Sequence, residues 1–447
     1  MTTPAPLPPG WRQRAARAGY STLLGLARPL VLLRLWRRGR AEPLYRDHLG
    51  ERFGRYQGAP SSGWLWVHAV SLGETLAAAP LVDALRRLRP GLALLLTHGT
   101  ATGREAGAAL LHDGDRQAWL PLDTPAAARR FLAHFRPAIG VLMETEIWPN
   151  LIAQARAAGV PMVLANARLS VRSERKGATL ASLLRPAMQG LSLVLAQTAD
   201  DAQRLRSSGA SEVTVAGNLK FDLSPDPALL AQGRAWCDLR PRGVVLAAVT
   251  REGEEAVLLA AWTRAAAPRP LLLIVPRHPQ RFDAVAALVE ASGLTLARRS
   301  RWGAMPDAAA LAAEVWLGDS MQEMALYYAT AQVALLGGSF APLGGQNLIE
   351  AAACGCPLVM GPHTFNFAQA AELSLAAGAA LRVDSLEAGV ATALRLLGSP
   401  ERAERSAAAL AFAARHRGAA RRMAAAIDAL WPPPLASPAA RLTATMS

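Results

Sequence analysis

Two acidic segments in the first half of the sequence have the residue types of an acid–base site. Glu74 follows an apolar run, 64–70, through a short turn that opens a helical pattern, and Glu144 and Glu146 lie at the end of a second apolar run that begins at Ile139. A carboxylate at a helix N-terminus serves either as a partner of the helix dipole or as a general base that accepts a hydroxyl proton. Two carboxylates leaving a buried strand need polar partners, so we expect at least one of them to face a cleft.

Lys220 lies in the segment NLKFD, 218–222, between the two halves of the chain. A lysine in this position offers a cation to a carboxylate or phosphate of a substrate. The alternative is a surface salt bridge with Asp222.

The stretch 337–367, GGSFAPLGGQNLIEAAACGCPLVMGPHTFNF, is the most informative part of the second half. Apolar runs at 332–336 and 357–360 flank an amphipathic segment at 348–353, which predicts a strand, a turn, a helix and a strand. Turns of this kind at the carboxyl end of a parallel sheet bind nucleotide phosphates, although many glycine-rich turns are only turns.

Four residues of this stretch suit a nucleotide. Gly344 and Gly345 let the backbone approach a ligand closely, and Asn347 stands where the helix is expected to begin, so free amides and the helix dipole would face an anion. Glu350, about one turn further, can accept hydrogen bonds from two ribose hydroxyls. The sequence therefore predicts a nucleotide-phosphate site.

Polar turns after three other apolar runs of the second half are expected at the same sheet edge. They are 250–255, 276–281 and 319–324, and the second contains Arg277, which suits a phosphate contact unless the turn is simply basic. No metal-binding spacing is present, because the histidines are scattered and no Asp-x-Asp pair follows a strand. We expect arginines and backbone amides to neutralise a leaving group without a metal or another cofactor.

Short apolar strands alternate with helical segments along the chain, which predicts an α/β fold with parallel sheets. Two doubly wound, Rossmann-like domains facing each other across a cleft are expected, with a joint at 218–235 that is rich in proline and polar residues. We predict an N-terminal segment at 1–45, domains at 46–222 and 223–430, and an unstructured tail at 431–447. Strands are predicted at 64–70, 92–98, 139–145, 161–168, 193–198 and 213–217, and at 244–250, 271–277, 314–319, 332–338 and 357–362.

The net charge of +14 is concentrated near the N-terminus, where eleven arginines and three acidic residues lie between positions 11 and 55. They surround an apolar run, 19–40, that Arg28, Pro29 and Arg34 interrupt. This pattern favours a helix lying in a membrane interface, and a buried helix followed by a basic turn is the alternative. No nucleic-acid-binding motif accompanies the charge.

Other features place the chain among globular proteins of a reducing compartment. No uncharged apolar run reaches the roughly 18 residues of a clear membrane span. The three cysteines, Cys237, Cys354 and Cys356, have no metal-binding or disulfide pattern, so the latter two are interpreted as small residues packed near the glycine turn.

Nine motifs, in the order in which they occur, resemble those of the 3-deoxy-D-manno-octulosonic acid (Kdo) transferases, which extend lipid A in Gram-negative bacteria. The resemblance runs from about residue 23 to 429. Its motifs are HAVSLGET, THGTATGR, METEIWPNLI, ANARLS, GNLKFD, EGEE, VPRHPQRF, GDSMQEM and the whole stretch 337–367 quoted above.

The resemblance implies a GT-B fold, an anchor at the cytoplasmic face of the inner membrane, and metal-independent, inverting transfer of Kdo from CMP-Kdo to a lipid A precursor. It implies that Glu74 is the proton acceptor and that Glu144 and Lys220 support the transition state. The residues implied to bind CMP come from three turns and are Pro276, Arg277, Met321, Gln322, Glu323, Asn347, Leu348, Ile349 and Glu350.

The sequence departs from the family pattern at two positions. Gln346 stands where the family usually has histidine, and it can donate a hydrogen bond but carries no charge. Gln322 stands where glycine is usual, so the local turn must accommodate a side chain.

Two other classes of protein fit part of the pattern. A GT-B-fold sugar-nucleotide epimerase would have the same two domains but needs no basic amphipathic leader. A non-catalytic membrane-surface module would explain the leader but not the polar turns gathered on two sheets.

Overall fold

The computed structural model describes residues 10–222 and 224–431 and consists of two compact units. The N-terminal unit comprises residues 10–222 and 418–431, and the C-terminal unit comprises 224–417. The predicted tail, 431–447, lies outside the described residues apart from Trp431.

The N-terminal unit is built on a parallel seven-stranded sheet in the order β3-β2-β1-β4-β5-β6-β7. Every residue of β1, β2, β4 and β5 is buried, because helices cover both faces of the sheet. The strand order reverses between β1 and β4, so a crevice lies at their carboxyl ends. The strands are β1 (Leu65–His68), β2 (Leu94–His98), β3 (Arg116–Trp119), β4 (Ile139–Met143), β5 (Met162–Ala167), β6 (Leu193–Ala196) and β7 (Val213–Val215).

Several helices of this unit begin at a serine or threonine whose side chain accepts a hydrogen bond from a first-turn amide, as at Ser71, Thr124 and Thr198. The first nine helices are α1 (Trp11–Leu26), α2 (Arg28–Arg38), α3 (Leu72–Leu88), α4 (Ala101–Gly107), α5 (Pro125–Phe135), α6 (Pro149–Ala157), α7 (Val171–Thr179), α8 (Ala181–Gln189) and α9 (Ala199–Ser207).

The C-terminal unit repeats this plan with a parallel sheet in the order β10-β11-β9-β8-β12-β13-β14. Its strand order reverses between β8 and β12, so their carboxyl ends border the second crevice. The strands are β8 (Val244–Thr250), β9 (Leu271–Pro276), β10 (Leu296–Arg298), β11 (Val315–Leu317), β12 (Val333–Leu336), β13 (Leu358–Met360) and β14 (Ala380–Arg382).

The helices of the C-terminal unit lie between these strands and after them. They are α10 (Pro227–Asp238), α11 (Glu254–Thr263), α12 (Phe282–Ala291), α13 (Ala308–Ala312), α14 (Met324–Thr330), α15 (Ile349–Ala353), α16 (Ala368–Ala376), α17 (Leu386–Leu397) and α18 (Glu401–His416).

The last helix, α19 (Ala419–Asp428), belongs to the N-terminal unit, which differs from the predicted boundary at residue 430. Its Met423 and Ile427 are fully buried in the core beneath α3 and β1. The Asp222 carboxylate accepts hydrogen bonds from the backbone amides of Gly418 and Ala420 at the helix start. A local sequence pattern does not reveal that the chain returns to its first core.

The eleven predicted strands are all present, and three short strands were missed. The missed strands β3, β10 and β14 have three or four residues each and lie at sheet edges. Partial exposure dilutes their apolar signal. The predicted joint at 218–235 is also shorter than expected, because α10 begins at Pro227 and buries Trp236 in the C-terminal unit.

The N-terminal segment forms two helices in place of one. A turn at Ala27 separates α1 from α2, and Pro29 occupies the first turn of α2, where its missing N–H is tolerated. Ser21 of α1 forms a hydrogen bond with Asn150 of α6, so α1 packs against the rest of the N-terminal unit. Among the described residues, no helix has the length and apolar character needed to cross a membrane.

Candidate active site

Glu74 lies in the first turn of α3, directly after β1. One carboxylate oxygen, Oε2, accepts a hydrogen bond from the Val70 amide at 2.6 Å, while the Ser71 hydroxyl accepts one from the Glu74 amide at 3.5 Å. The carboxylate therefore ties the first turn of α3 to the turn that follows β1. Burial raises its pKa, as does the charge of Glu144, although the Val70 hydrogen bond opposes this. A fixed carboxylate with raised proton affinity is also suited to act as a base.

Glu144 lies at the carboxyl end of β4, across the strand-order reversal from Glu74. Its carboxylate is buried and pairs with two cations, the Arg168 Nε at 2.9 Å and the Lys220 Nζ at 3.9 Å. Its backbone φ is +56°, a left-handed conformation that glutamate rarely adopts. Residues held in such conformations cluster at functional sites.

A bulge in β5 positions Lys220. At the bulge, Asn166 has φ +52°, and its side-chain oxygen accepts a hydrogen bond from the Leu219 amide at 3.0 Å. The 3₁₀ turn that carries Lys220 is thereby fixed beside Glu144. Asp222 caps the start of α19, and the structure pairs Lys220 with Glu144.

Glu146 completes the cluster and faces a buried histidine. The Oε2 atom of Glu146 lies 3.9 Å from the His68 Nε2. The His68 Nδ1 lies 3.0 Å from the Thr97 carbonyl oxygen, and burial lowers the His68 pKa to about 3. The ring is therefore neutral, and Nδ1 donates to Thr97, which leaves the Nε2 lone pair directed towards Glu146.

Burial raises the pKa of Glu146 to about 7, and the neighbouring charges of Glu74 and Glu144 add to the effect. Three carboxylates thus lie within electrostatic reach of one another, but they are held in different ways. Glu144 is paired with cations and Glu146 retains its proton to near-neutral pH, so Glu74 is left as the cluster's candidate base.

The donor-site residues predicted in the second half follow three strands of the C-terminal sheet. Pro276 ends β9 and is buried, whereas Arg277 is exposed, and its side chain has no ion pair within the described residues. Arg281 instead pairs with the fully buried Glu255 at 3.1 Å and is structural. Of these two arginines, Arg277 is the one available to an anion.

The turn after β11 presents Met321, Gln322 and Glu323. The backbone φ of Gln322 is +63°. Glycine adopts this left-handed conformation readily, whereas it strains the backbone of a residue with a side chain. The Glu323 carboxylate accepts hydrogen bonds from Arg299 at 2.8 Å and Ser320 at 2.5 Å. This glutamate therefore holds the turn in place.

The glycine-rich segment after β12 leads into α15, which has five residues. The side-chain oxygen of Asn347 accepts a hydrogen bond from the Ile349 amide at 3.1 Å. The sequence predicted that the amides here are free to bind an anion, but the Ile349 amide is already bonded. Leu348 and Ile349 are buried, so their side chains contribute to the core and are not exposed to a ligand. Burial raises the pKa of Glu350, whose carboxylate forms no hydrogen bond with the described residues.

Backbone strain marks this second sheet edge as well. Val249 has φ +57°, rare for a β-branched residue, and lies at a bulge between β8 and β9. A side chain at Gly337 would collide with the Val249 carbonyl group, so glycine is required there. Glu254 accepts hydrogen bonds from the amides of Gly338 and Arg251, which ties the turn after β8 to the one after β12.

Sequence reasoning missed three residues of the first site: Arg168, Asn166 and His68. All three lie within motifs quoted above, but their roles depend on the β5 bulge and on the burial of β1. Polar residues inside otherwise apolar strands were the available signal, since such residues are rarely buried without a partner.

Two Rossmann-like sheets, one with carboxylates at its strand-order reversal and the other with a glycine-rich turn, define the GT-B class of nucleotide-sugar enzymes. Residues 47–223 match the family model described as 3-deoxy-D-manno-octulosonic-acid transferase (kdotransferase). The 3-deoxy-D-manno-octulosonic acid transferase of Bordetella pertussis is 51% identical over 421 residues, covering 91% of this chain and 97% of the relative. The chain belongs to the Kdo transferase family.

Solved structures at low identity agree on the fold alone. A glycosyltransferase from Rickettsia africae matches with TM-score 0.53 at 12% identity, covering 84% of this chain and 98% of the other. UDP-GlcNAc 2-epimerase from Neisseria meningitidis matches with TM-score 0.52 at 15% identity over 82% and 99%. Transferases and epimerases share this fold, so the sequence family distinguishes them here.

Proposed function

We propose that the protein transfers Kdo from CMP-Kdo to a hydroxyl of a lipid A precursor, with inversion at the anomeric carbon. The observation that carries the proposal is the carboxylate cluster at the β1–β4 reversal, in which the Val70 amide holds Glu74 near the paired Glu144. Membership of the Kdo transferase family supports the choice of sugar and donor.

In this mechanism Glu74 accepts the proton of the acceptor hydroxyl. The hydroxyl oxygen forms a bond to the anomeric carbon as the bond from that carbon to the phosphate oxygen breaks, and the electron pair leaves with CMP. Lys220 and Arg168 hold Glu144, and their positive charge suits the carboxylate that the Kdo sugar carries.

CMP is assigned to the carboxyl edge of the C-terminal sheet. Arg277, which is exposed and has no ion pair within the described residues, would contact the phosphate, and Glu350 would accept hydrogen bonds from the ribose. The turn of Met321, Gln322 and Glu323 would border the base. We propose that these groups neutralise the leaving phosphate without a metal ion.

A membrane surface is proposed as the place of reaction, at the cytoplasmic side of the inner membrane. The helices α1 and α2 expose large apolar side chains, with Leu26 75% and Leu30 69% exposed, and α2 also carries Arg28, Arg34 and Arg37. An apolar face with flanking arginines suits an interface of anionic lipid.

Two assays test these assignments. The full chain, incubated with CMP-Kdo and a lipid A precursor in detergent with or without EDTA, should add the mass of Kdo to the acceptor in both samples. Release of CMP with no change in acceptor mass, or dependence on a divalent metal, would contradict the proposal.

For the membrane assignment, Leu30→Glu should reduce sedimentation with anionic vesicles. The matched control Leu410→Glu, at an exposed position of α18, should leave sedimentation unchanged. Equal sedimentation of the two variants and the wild-type chain would refute the role of α2.

A further inference from the structure

A pocket of about 610 Å³ opens beside Glu144 in the N-terminal unit, a size within the range of ligand sites. The helices α7 and α8, the ends of β5 and α9, and the loop after β4 enclose it. Its wall is largely aliphatic and includes Leu164, Leu169, Leu184, Met188 and Leu205. None of these side chains has a role in the proposed transfer chemistry.

The rim of the pocket differs from its wall. Arg168 and Arg185 line the rim with Ser173 and Ser207, and Glu174 adds one acidic group. On either side of Ser173 and Glu174, helix α7 also carries the exposed residues Arg172, Arg175 and Lys176. Cations around an aliphatic pocket complement an amphiphile that has a negatively charged head and a hydrocarbon chain.

Two neighbours restrict which amphiphile fits. At one end the pocket reaches Glu144, the partner of Lys220 in the carboxylate cluster. On its other side, α8 packs against α1, whose residues Arg14 and Arg17 lie with Leu183 and Pro186 of α8 around a small crevice. The pocket thus lies between the acid–base site and the helices assigned to the membrane surface.

We propose that this pocket holds one acyl chain of the phosphorylated glycolipid acceptor and thereby positions the acceptor hydroxyl at the carboxylate cluster. The inference rests on the proposed function and names the acceptor determinant of that site. It gives the enzyme a means to select acylated sugars over sugars without chains, because an aliphatic wall gains binding free energy only from hydrocarbon.

The proposal is tested with a large side chain that fills the pocket and is introduced at an exposed position. Ala181 lines the pocket at the start of α8, whereas its neighbour Ser182 is exposed and does not line it. Ala181→Trp should raise the KM for a tetraacylated lipid A precursor about tenfold, which the loss of roughly two buried methylene groups suffices to produce. The control Ser182→Trp should not change this KM, and the KM for CMP-Kdo should be unchanged in both variants.

A binding assay separates the pocket from catalysis. Fluorescence of cis-parinaric acid, a fatty-acyl probe, should rise on addition of the wild-type chain or Ser182→Trp and should not rise with Ala181→Trp. Equal probe binding and equal acceptor KM in the two tryptophan variants would overturn the assignment. If Ala181→Trp loses its circular dichroism signal, Ala178→Leu, on the same pocket wall, replaces it with the same expectation.

The results also distinguish this inference from the proposed function. If the wild-type chain transfers Kdo and Ala181→Trp does so with the same acceptor KM, the acyl site is refuted and the proposed function stands. Probe binding without any sugar transfer by the wild-type chain would refute the function, and the acceptor role of the pocket with it.

Discussion

Replacement of Glu146 by glutamine should make the N-terminal unit more stable above neutral pH. The Glu146 side chain is 18% exposed, and burial together with Glu74 and Glu144 raises its pKa from an ordinary 4.5 to about 7. The folded protein therefore retains a proton that the unfolded chain releases. Glutamine keeps the size and the hydrogen-bonding capacity of the protonated side chain but does not ionise.

The sign and the size of this stability difference follow from proton linkage. Because the acid's pKa is higher in the folded state, folding takes up a proton between about pH 4.5 and 7, and stability falls as pH rises through that window. At 1.36 kcal/mol per pH unit, the loss reaches about 3 kcal/mol above pH 7. Glu146→Gln has no such loss, so its advantage should grow from near zero at pH 4.5 to about 3 kcal/mol at pH 8.5.

Hydrogen exchange measured by mass spectrometry on peptides of β1 and β4 would report this difference for the N-terminal unit by itself. Glu105→Gln, at an exposed position of α4, is the matched control and should show no pH-dependent gain. A Glu146→Gln advantage that is independent of pH, or a destabilisation at pH 8.5, would refute the account of the carboxylate cluster.

Two further predictions concern the C-terminal unit. Arg277→Ala should weaken CMP binding about tenfold or more in calorimetry, because a charge-assisted contact to phosphate is lost. The control Arg264→Ala, at an exposed position, should leave the CMP affinity unchanged. Equal affinities of the two variants would remove Arg277 from the site. Gln322→Gly should relieve the left-handed backbone and raise stability by about 1 kcal/mol in urea unfolding, and a loss of stability would show that the Gln322 side chain contributes more than its strain costs.

The sequence was sufficient to predict the strands that lie inside each sheet. Buried parallel strands such as β4 and β9 are continuous apolar runs, and helix starts such as Ser71 have a local hydrogen-bonding pattern. Glu74 and Glu144 were predictable as candidate site residues because each follows such a run. Their proximity, by contrast, comes from the strand order, which places β1 beside β4.

Features set by tertiary contacts could not be predicted. The pairing of Glu144 with Arg168 depends on the β5 bulge, and the return of α19 depends on packing with α3. At the glycine-rich turn, the sequence indicated free amides, but Asn347 satisfies the Ile349 amide itself. Competition between a side chain and a ligand for the same amide is decided by geometry.

The central claim is that Glu74 takes the proton of the acceptor hydroxyl. Glu74→Gln retains an oxygen that can accept from the Val70 amide, so the helix start should persist. Single-turnover transfer from CMP-Kdo to a lipid A precursor should fall by about 10²- to 10⁴-fold, the range for loss of a general base, with CMP affinity unchanged. Turnover within a few-fold of the wild-type chain would contradict the claim.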